Sequence, residues 1–190
     1  MDYAFHSANE WNCWRGRFSG EWELRLFFVN HLDVAIVRLP LSALDTPTDL
    51  RRHVEWFIGN GQWASNVAYE QASRFTNIHA NSGSTPRYNQ RLKKWQIIYW
   101  ETSQFPLGYV ALSTADAITG PWSNPVKLYT PPESGVDGNF CYGAYEHPAY
   151  VADPDKQIAF TYTCNNMTSS KVLNNMSIYV PKFIRLAHPQ

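Results

Sequence analysis

The chain has 190 residues, enough for one domain with a sizeable core, and its 16 basic and 16 acidic residues cancel to zero formal charge. No basic stripe is present, which argues against a nucleic-acid groove, and no apolar run approaches the roughly 18 residues of a membrane span. Charged residues are only 17% while aromatics reach 15%, with eight Trp and eleven Tyr, a balance that suits a β-rich protein whose rings fill seams between sheets or stack on sugars.

Residues 1–23 carry Trp11, Trp14 and Trp22 among Gly and Asn and show no readable period. Residues 24–29 and 33–39 read as strands, 45–52 as one helical turn with Thr46 before Pro47, and 52–58 as a strand closed by the turn Gly59-Asn60-Gly61. Residues 73–80 are expected to form the inner strand of a second sheet, with Asn77 and His79 polar enough to face water in a central channel, and 81–86 to form a loop. Residues 95–102 are aromatic and β-branched, free of Gly and Pro and apolar on both faces, as a strand between two layers should be. A Pro-containing reversal at 103–107 leads to a strand at 108–113, and a Gly120-Pro121-Trp122 turn leads to a short one at 126–129. A long loop over 130–143 precedes strands at 144–151, 157–163 and 177–186.

The plan repeats. Val34-Ala35-Ile36-Val37 matches Tyr109-Val110-Ala111-Leu112 at an offset of 75 residues, and Ile178-Tyr179-Val180 begins a third copy 69 residues further on. Repeated four-stranded antiparallel units point to a propeller, although these repeats exceed the roughly 40–50 residues of common ones. The fold expected is therefore all-β, a partial five-bladed β-propeller of about three blades of antiparallel strands. One domain spans 1–190, with a first partial blade over 1–63, a second over 64–131, and a third over 132–190 that lacks its outer strand.

The run Thr114-Ala115-Asp116-Ala117-Ile118-Thr119-Gly120-Pro121-Trp122 resembles the blade connection of five-bladed glycoside hydrolases of the arabinanase and xylosidase type. More diffusely, 34–63, Arg87-Tyr88-Asn89 with Lys94-Trp95, and 145–163 are similar to a propeller family of uncharacterised function, some members of which act as endo-D-arabinanases. That resemblance implies a carbohydrate-active protein acting on arabinose- or xylose-containing polysaccharide. Its catalytic aspartates would come largely from two earlier blades that this sequence starts after, so the alternative is a truncated or non-catalytic propeller that binds carbohydrate or has no activity of its own. Transferring the family's axial geometry points to Glu146 as acid or substrate ligand, and to His147 as the group that tunes its pKa, hydrogen-bonds a sugar hydroxyl or ligates a central ion, at the entry of the third inner strand. Glu70, His79, Asn81, Tyr142 and Tyr145 are the candidate substrate-binding residues. The bland reading gives Glu146 an ion pair between blades, His147 a hydrogen bond to a neighbouring loop, and Asp116 a turn-capping role.

No Cys or His pairs occur at zinc-ligand spacing, no metal site is expected, and the cofactor is left unassigned. Antiparallel pairing of the flanking strands would bring Cys141 and Cys164 together, with a disulfide if the compartment is oxidising. The N-terminus, Met1-Asp2-Tyr3-Ala4-Phe5-His6, lacks the basic start and apolar core of a secretory signal, so either the protein stays inside the cell or a signal belongs to a part not in this chain. Two sequons, Asn166-Met167-Thr168 and Asn175-Met176-Ser177, tilt the expectation toward an extracellular protein. The partners expected are polysaccharide or oligosaccharide, no nucleic acid and no membrane, with self-association through open blade edges that carry Trp11, Trp14, Tyr179 and Phe183.

Overall fold

The structure, a computed structural model, describes residues 11–12, 22–29, 33–40, 42–43 and 50–189. The first sheet runs in order through β1 (Trp11–Asn12), β2 (Trp22–Val29), β3 (Asp33–Pro40), β4 (Glu55–Gly59) and β5 (Gln62–Ser65), and a short β6 (Arg74–Phe75) also pairs with β3. The second is a four-stranded meander of β7 (Ala80–Asn89), β8 (Lys94–Glu101), β9 (Tyr109–Ala115) and β10 (Val126–Tyr129). The third has three strands, β11 (Asn139–Glu146), β12 (Gln157–Asn166) and β13 (Lys182–Ala187), with one six-residue helix, α1 (Ser169–Asn174), in the β12–β13 connection. All strand pairs are antiparallel.

The second sheet is the middle layer, and strand alternation explains how it serves two cores. Ile97, Tyr99 and Ala111 on one face pack with Val34, Ile36, Phe57 and Phe75 of the first sheet. Ile98, Trp100, Val110 and Leu112 on the other face pack with Ala144, Ile158, Phe160 and Tyr162 of the third. A strand buried on both sides carries apolar residues on both faces, which is the pattern read in 95–102, and its buried polar residues Gln96 and Glu101 must then be hydrogen-bonded inside. β3 and β9, the strands matched at a 75-residue offset, are each the third strand of their sheet, although β3 pairs with β2, β4 and β6 and β9 with β8 and β10; β10 falls where the sequence put it.

Two inner strands lie elsewhere than expected. Residues 73–80 hold only β6 and a turn, while the expected loop at 81–86 lies within β7. β7 tolerates Pro86 because, among the described residues, it is an edge strand that pairs only with β8, where a missing N–H breaks no second ladder, and a register shift between Ala80 and Ser84 absorbs the Asn-Ser-Gly stretch. In the third sheet the inner strand ends at Glu146 instead of beginning at Ala144, and Pro148–Tyr150 is a 3-10 turn. A register shift between Tyr142 and Tyr145, with Gly143 at φ +72°, breaks the two-residue alternation there. The expected third copy at Ile178-Tyr179-Val180 lies in and after a 3-10 turn (Met176–Ile178), and β13 begins at Lys182. The first sheet extends to Phe75, past the expected boundary at 63. The helical turn expected at 45–52 falls partly outside the described residues, with a 3-10 turn at Leu50–His53.

Candidate functional site

β11 presents its two faces to different surroundings. Cys141, Ala144 and Glu146 point to the second sheet, and Cys141 is disulfide-bonded to its cross-strand partner Cys164. Tyr142 and Tyr145 pair with Thr163 and Thr161 on the opposite face, so they do not bury Glu146.

Glu146 is buried by the second sheet. Arg87 Nε donates to Glu146 Oε1 at 2.9 Å, and Gln96 Nε2 donates to Oε1 and Oε2 at 3.2 and 3.4 Å. Arg87 also donates to Asp155 Oδ1 at 3.2 Å and to the Pro154 carbonyl. Gln96 Oε1 accepts from Asn89 Nδ2 at 3.0 Å and lies 3.0 Å from His188 Nε2, which closes a network across β7, β8, β11 and the last residues described. Burial raises the Glu146 carboxyl above its ordinary pKa, while Arg87 and Gln96 pull it down. Burial also holds the His188 imidazole below its ordinary value. This is the ion pair between sheets of the bland reading.

The other expected site residues are dispersed. His147 Nε2 lies 2.9 Å from Thr161 Oγ1, and its ring sits against Tyr150 and Phe183 on the face away from Arg87. Glu70 is exposed in a 3-10 turn (Tyr69–Gln71) between β5 and β6 of the first sheet, whereas Glu146 is buried on Arg87 and Gln96 of the second. His79 contributes its carbonyl, which accepts from Thr102 N and Oγ1, both at 2.9 Å. The Asn81 side chain lies outside the described residues. Tyr142 stacks on Phe140 with centroids 5.9 Å apart. Asp116 caps no turn; it pairs with Lys94 at 2.9 Å. Among the described residues no group of three or more His, Cys, Asp or Glu could hold a metal ion.

A cleft of about 640 Å³ opens instead between the first and second sheets. The β4–β5 turn (Gly59-Asn60-Gly61), the β6 segment with Ser73, Arg74, Thr76 and Asn77, and the Thr119–Trp122 connection form its walls. Phe57, Phe75 and Trp122 are its buried aromatics. Asn77 Nδ2 donates to the Trp122 and Ser123 carbonyls at 2.6 and 3.0 Å and ties β6 to the Gly-Pro-Trp turn. Gly120, at φ +83°, lets the Trp122 ring close on it, since a Cβ there would lie 3.1 Å from Trp122 Cδ1. Among the described residues Trp122 Nε1 has no hydrogen-bond partner. Arg74 lies on the rim, paired with Asp33 at 2.9 Å, with its guanidinium 5.5 Å from the Tyr69 ring centre. The signal in the sequence was the Gly-Pro-Trp run, which reads as a blade marker until β6 is placed beside it.

These sheets and this cleft define an all-β protein of stacked antiparallel sheets. The chain shares the fold of a "putative hydrolase" from Bacteroides ovatus ATCC 8483, with a TM-score of 0.60 at 15% identity over 87% of this chain and 42% of that one. The chain thus spans less than half of that protein's length. No protein-family profile matches the chain, and no curated protein does.

Proposed function

We propose that the chain is a carbohydrate-active, glycoside hydrolase-like β-propeller of about three blades that binds arabinose- or xylose-containing polysaccharide, outside the cell, without hydrolysing it. The observation that carries the reading is the cleft. Its volume of about 640 Å³ falls within the roughly 300–1,000 Å³ of small-ligand sites, and Asn60, Ser73, Arg74, Thr76 and Asn77, set over a floor of buried aromatic residues, suit the hydroxyl rims of sugar rings. Hydrolysis asks for two carboxylates facing one bond across about 5–10 Å. Glu146 is instead engaged by Arg87 and Gln96, and the carboxylate beside it, Asp155, is held by the same Arg87. The hydrolase name of the structural neighbour and the blade-connection motif support the class, and the Cys141–Cys164 disulfide supports an oxidising compartment. Among the described residues the outer strand β13 pairs only with β12, and Tyr179 and Phe183 are 45% and 43% exposed, so self-association along that edge belongs to the same reading. Of the other open-face residues expected, Trp14 and the side chain of Trp11 lie outside the described residues.

Calorimetric titration with arabino- and xylo-oligosaccharides tests the reading. Thr76→Trp fills the cleft from an exposed position and should weaken binding roughly tenfold or more, about 1.4 kcal/mol, with no reducing sugar released by either protein. Equal affinity in the two proteins would remove the cleft. Turnover by the unaltered chain that Glu146→Gln abolishes would restore the catalytic reading.

A further inference from the structure

The two sequons occupy the same connection yet meet different surroundings. Asn166 is the last residue of β12, and it is buried. Its Nδ2 donates to the Asp137 carbonyl at 3.0 Å and to Asn139 Oδ1 at 2.7 Å, while its Oδ1 accepts from Thr168 N at 2.8 Å. A glycan on that amide would displace its Nδ2 bonds and is incompatible with the folded start of the third sheet.

Asn175 lies between α1 and the 3-10 turn and is exposed. Its Oδ1 accepts from Ser177 Oγ at 2.6 Å and from Ser177 N at 3.3 Å, an Asx turn closed by the hydroxyl of its own sequon. Both bonds go to the oxygen, and Nδ2 makes no hydrogen bond among the described residues. The surroundings also suit a glycan: Met167, Leu173, Met176 and Val180 are all exposed along this connection, Leu173 at 76%. Apolar surface gathered in one place is unusual on a bare soluble domain, and a hydrophilic oligosaccharide anchored at Asn175 would cover it.

We propose that Asn175 is an N-glycosylation site and that Asn166 is not, an inference that rests on the extracellular reading above. The donor is a lipid-linked oligosaccharide pyrophosphate. Asn175 Nδ2 bonds to the anomeric carbon, the bond from that carbon to the pyrophosphate oxygen breaks, the lipid pyrophosphate leaves with the electron pair, and the amide gives up one proton to a base of the transferase. Ser177, by holding Oδ1, presents Nδ2 outward for this step.

The full chain, directed into the secretory pathway of a eukaryotic host, is digested with peptide N-glycosidase in heavy-oxygen water, and cells and medium are pooled so that occupancy is scored whether or not the protein is exported. The label should appear at Asn175 alone. Thr168→Ala keeps the backbone bond to Asn166 and should leave glycan occupancy unchanged, whereas Ser177→Ala should abolish it and Ser177→Thr retain it. An unlabelled Asn175, a labelled Asn166, or a glycan lost in Thr168→Ala overturns the proposal. The same digest reads the disulfide: free thiols at Cys141 and Cys164 would count against the oxidising compartment, separately from the choice of asparagine.

Discussion

Glu146→Gln separates a structural carboxylate from a catalytic one. The variant keeps an acceptor for Arg87 Nε, but it sets an amide NH₂ against Gln96 Nε2, whose own oxygen is held by Asn89 and faces His188. Gln96 therefore cannot turn over without breaking other bonds. Breaking a buried ion pair outright costs about 3–5 kcal/mol. Arg87 retains Asp155 and the Pro154 carbonyl, which lowers the expected loss to about 1.5–3 kcal/mol, the range for hydrogen bonds to charged groups. For a chain of this length that is a fall of roughly 3–12 °C in Tm. Urea unfolding followed by Trp fluorescence reads it, and Arg87→Met combined with Glu146→Gln should cost less than the two separately, because the partners act as one unit. An unfolding midpoint unchanged in Glu146→Gln, together with loss of a measurable glycosidase activity, would refute the reasoning and make Glu146 a reacting group.

Gly120→Ala forces φ +83° on a residue with a Cβ and presses it against Trp122 Cδ1, so it should destabilise by about 1–3 kcal/mol and weaken oligosaccharide binding in the cleft; equal stability by urea titration would contradict it. Cys141 and Cys164 are 23 residues apart in sequence, so replacing both with Ala should cost about 3 kcal/mol by loop-closure entropy, seen as a lower urea midpoint in the variant than in the oxidised protein. Burial depresses the His188 pKa, so its contribution to stability is present above about pH 6.5 and is lost as pH falls through the lower folded value. The raised carboxyl of Glu146 acts in the other sense, with stability present below about pH 4.5 and lost as pH rises through its folded value. His188→Gln should therefore flatten only the loss seen on acidification from pH 7 to 5, and an unaltered difference in urea midpoint between those two pH values would refute the assignment.

What the sequence determined by itself is the middle layer. Residues 95, 97–100 and 109–112 are apolar on both alternating faces because both faces are covered, while Gln96 is the buried polar exception that the apolar run does not announce. The antiparallel meander and the closeness of Cys141 to Cys164 follow from strand order and short connections, which are local properties. Inner strands were less legible, because an edge strand accepts Pro86 and irregular register, and these read as loop when the pairing is unknown. Glu146 changed meaning for the same reason. A bulge at Gly143 decided which face of β11 carries it, and only the neighbouring sheet supplied Arg87 and Gln96 from 59 and 50 residues away. The cleft was the least legible feature, since its walls come from three segments of two sheets. No local pattern in the Gly-Pro-Trp turn announces that β6 will be held beside it by Asn77, a contact 45 residues long in sequence that only tertiary packing could make.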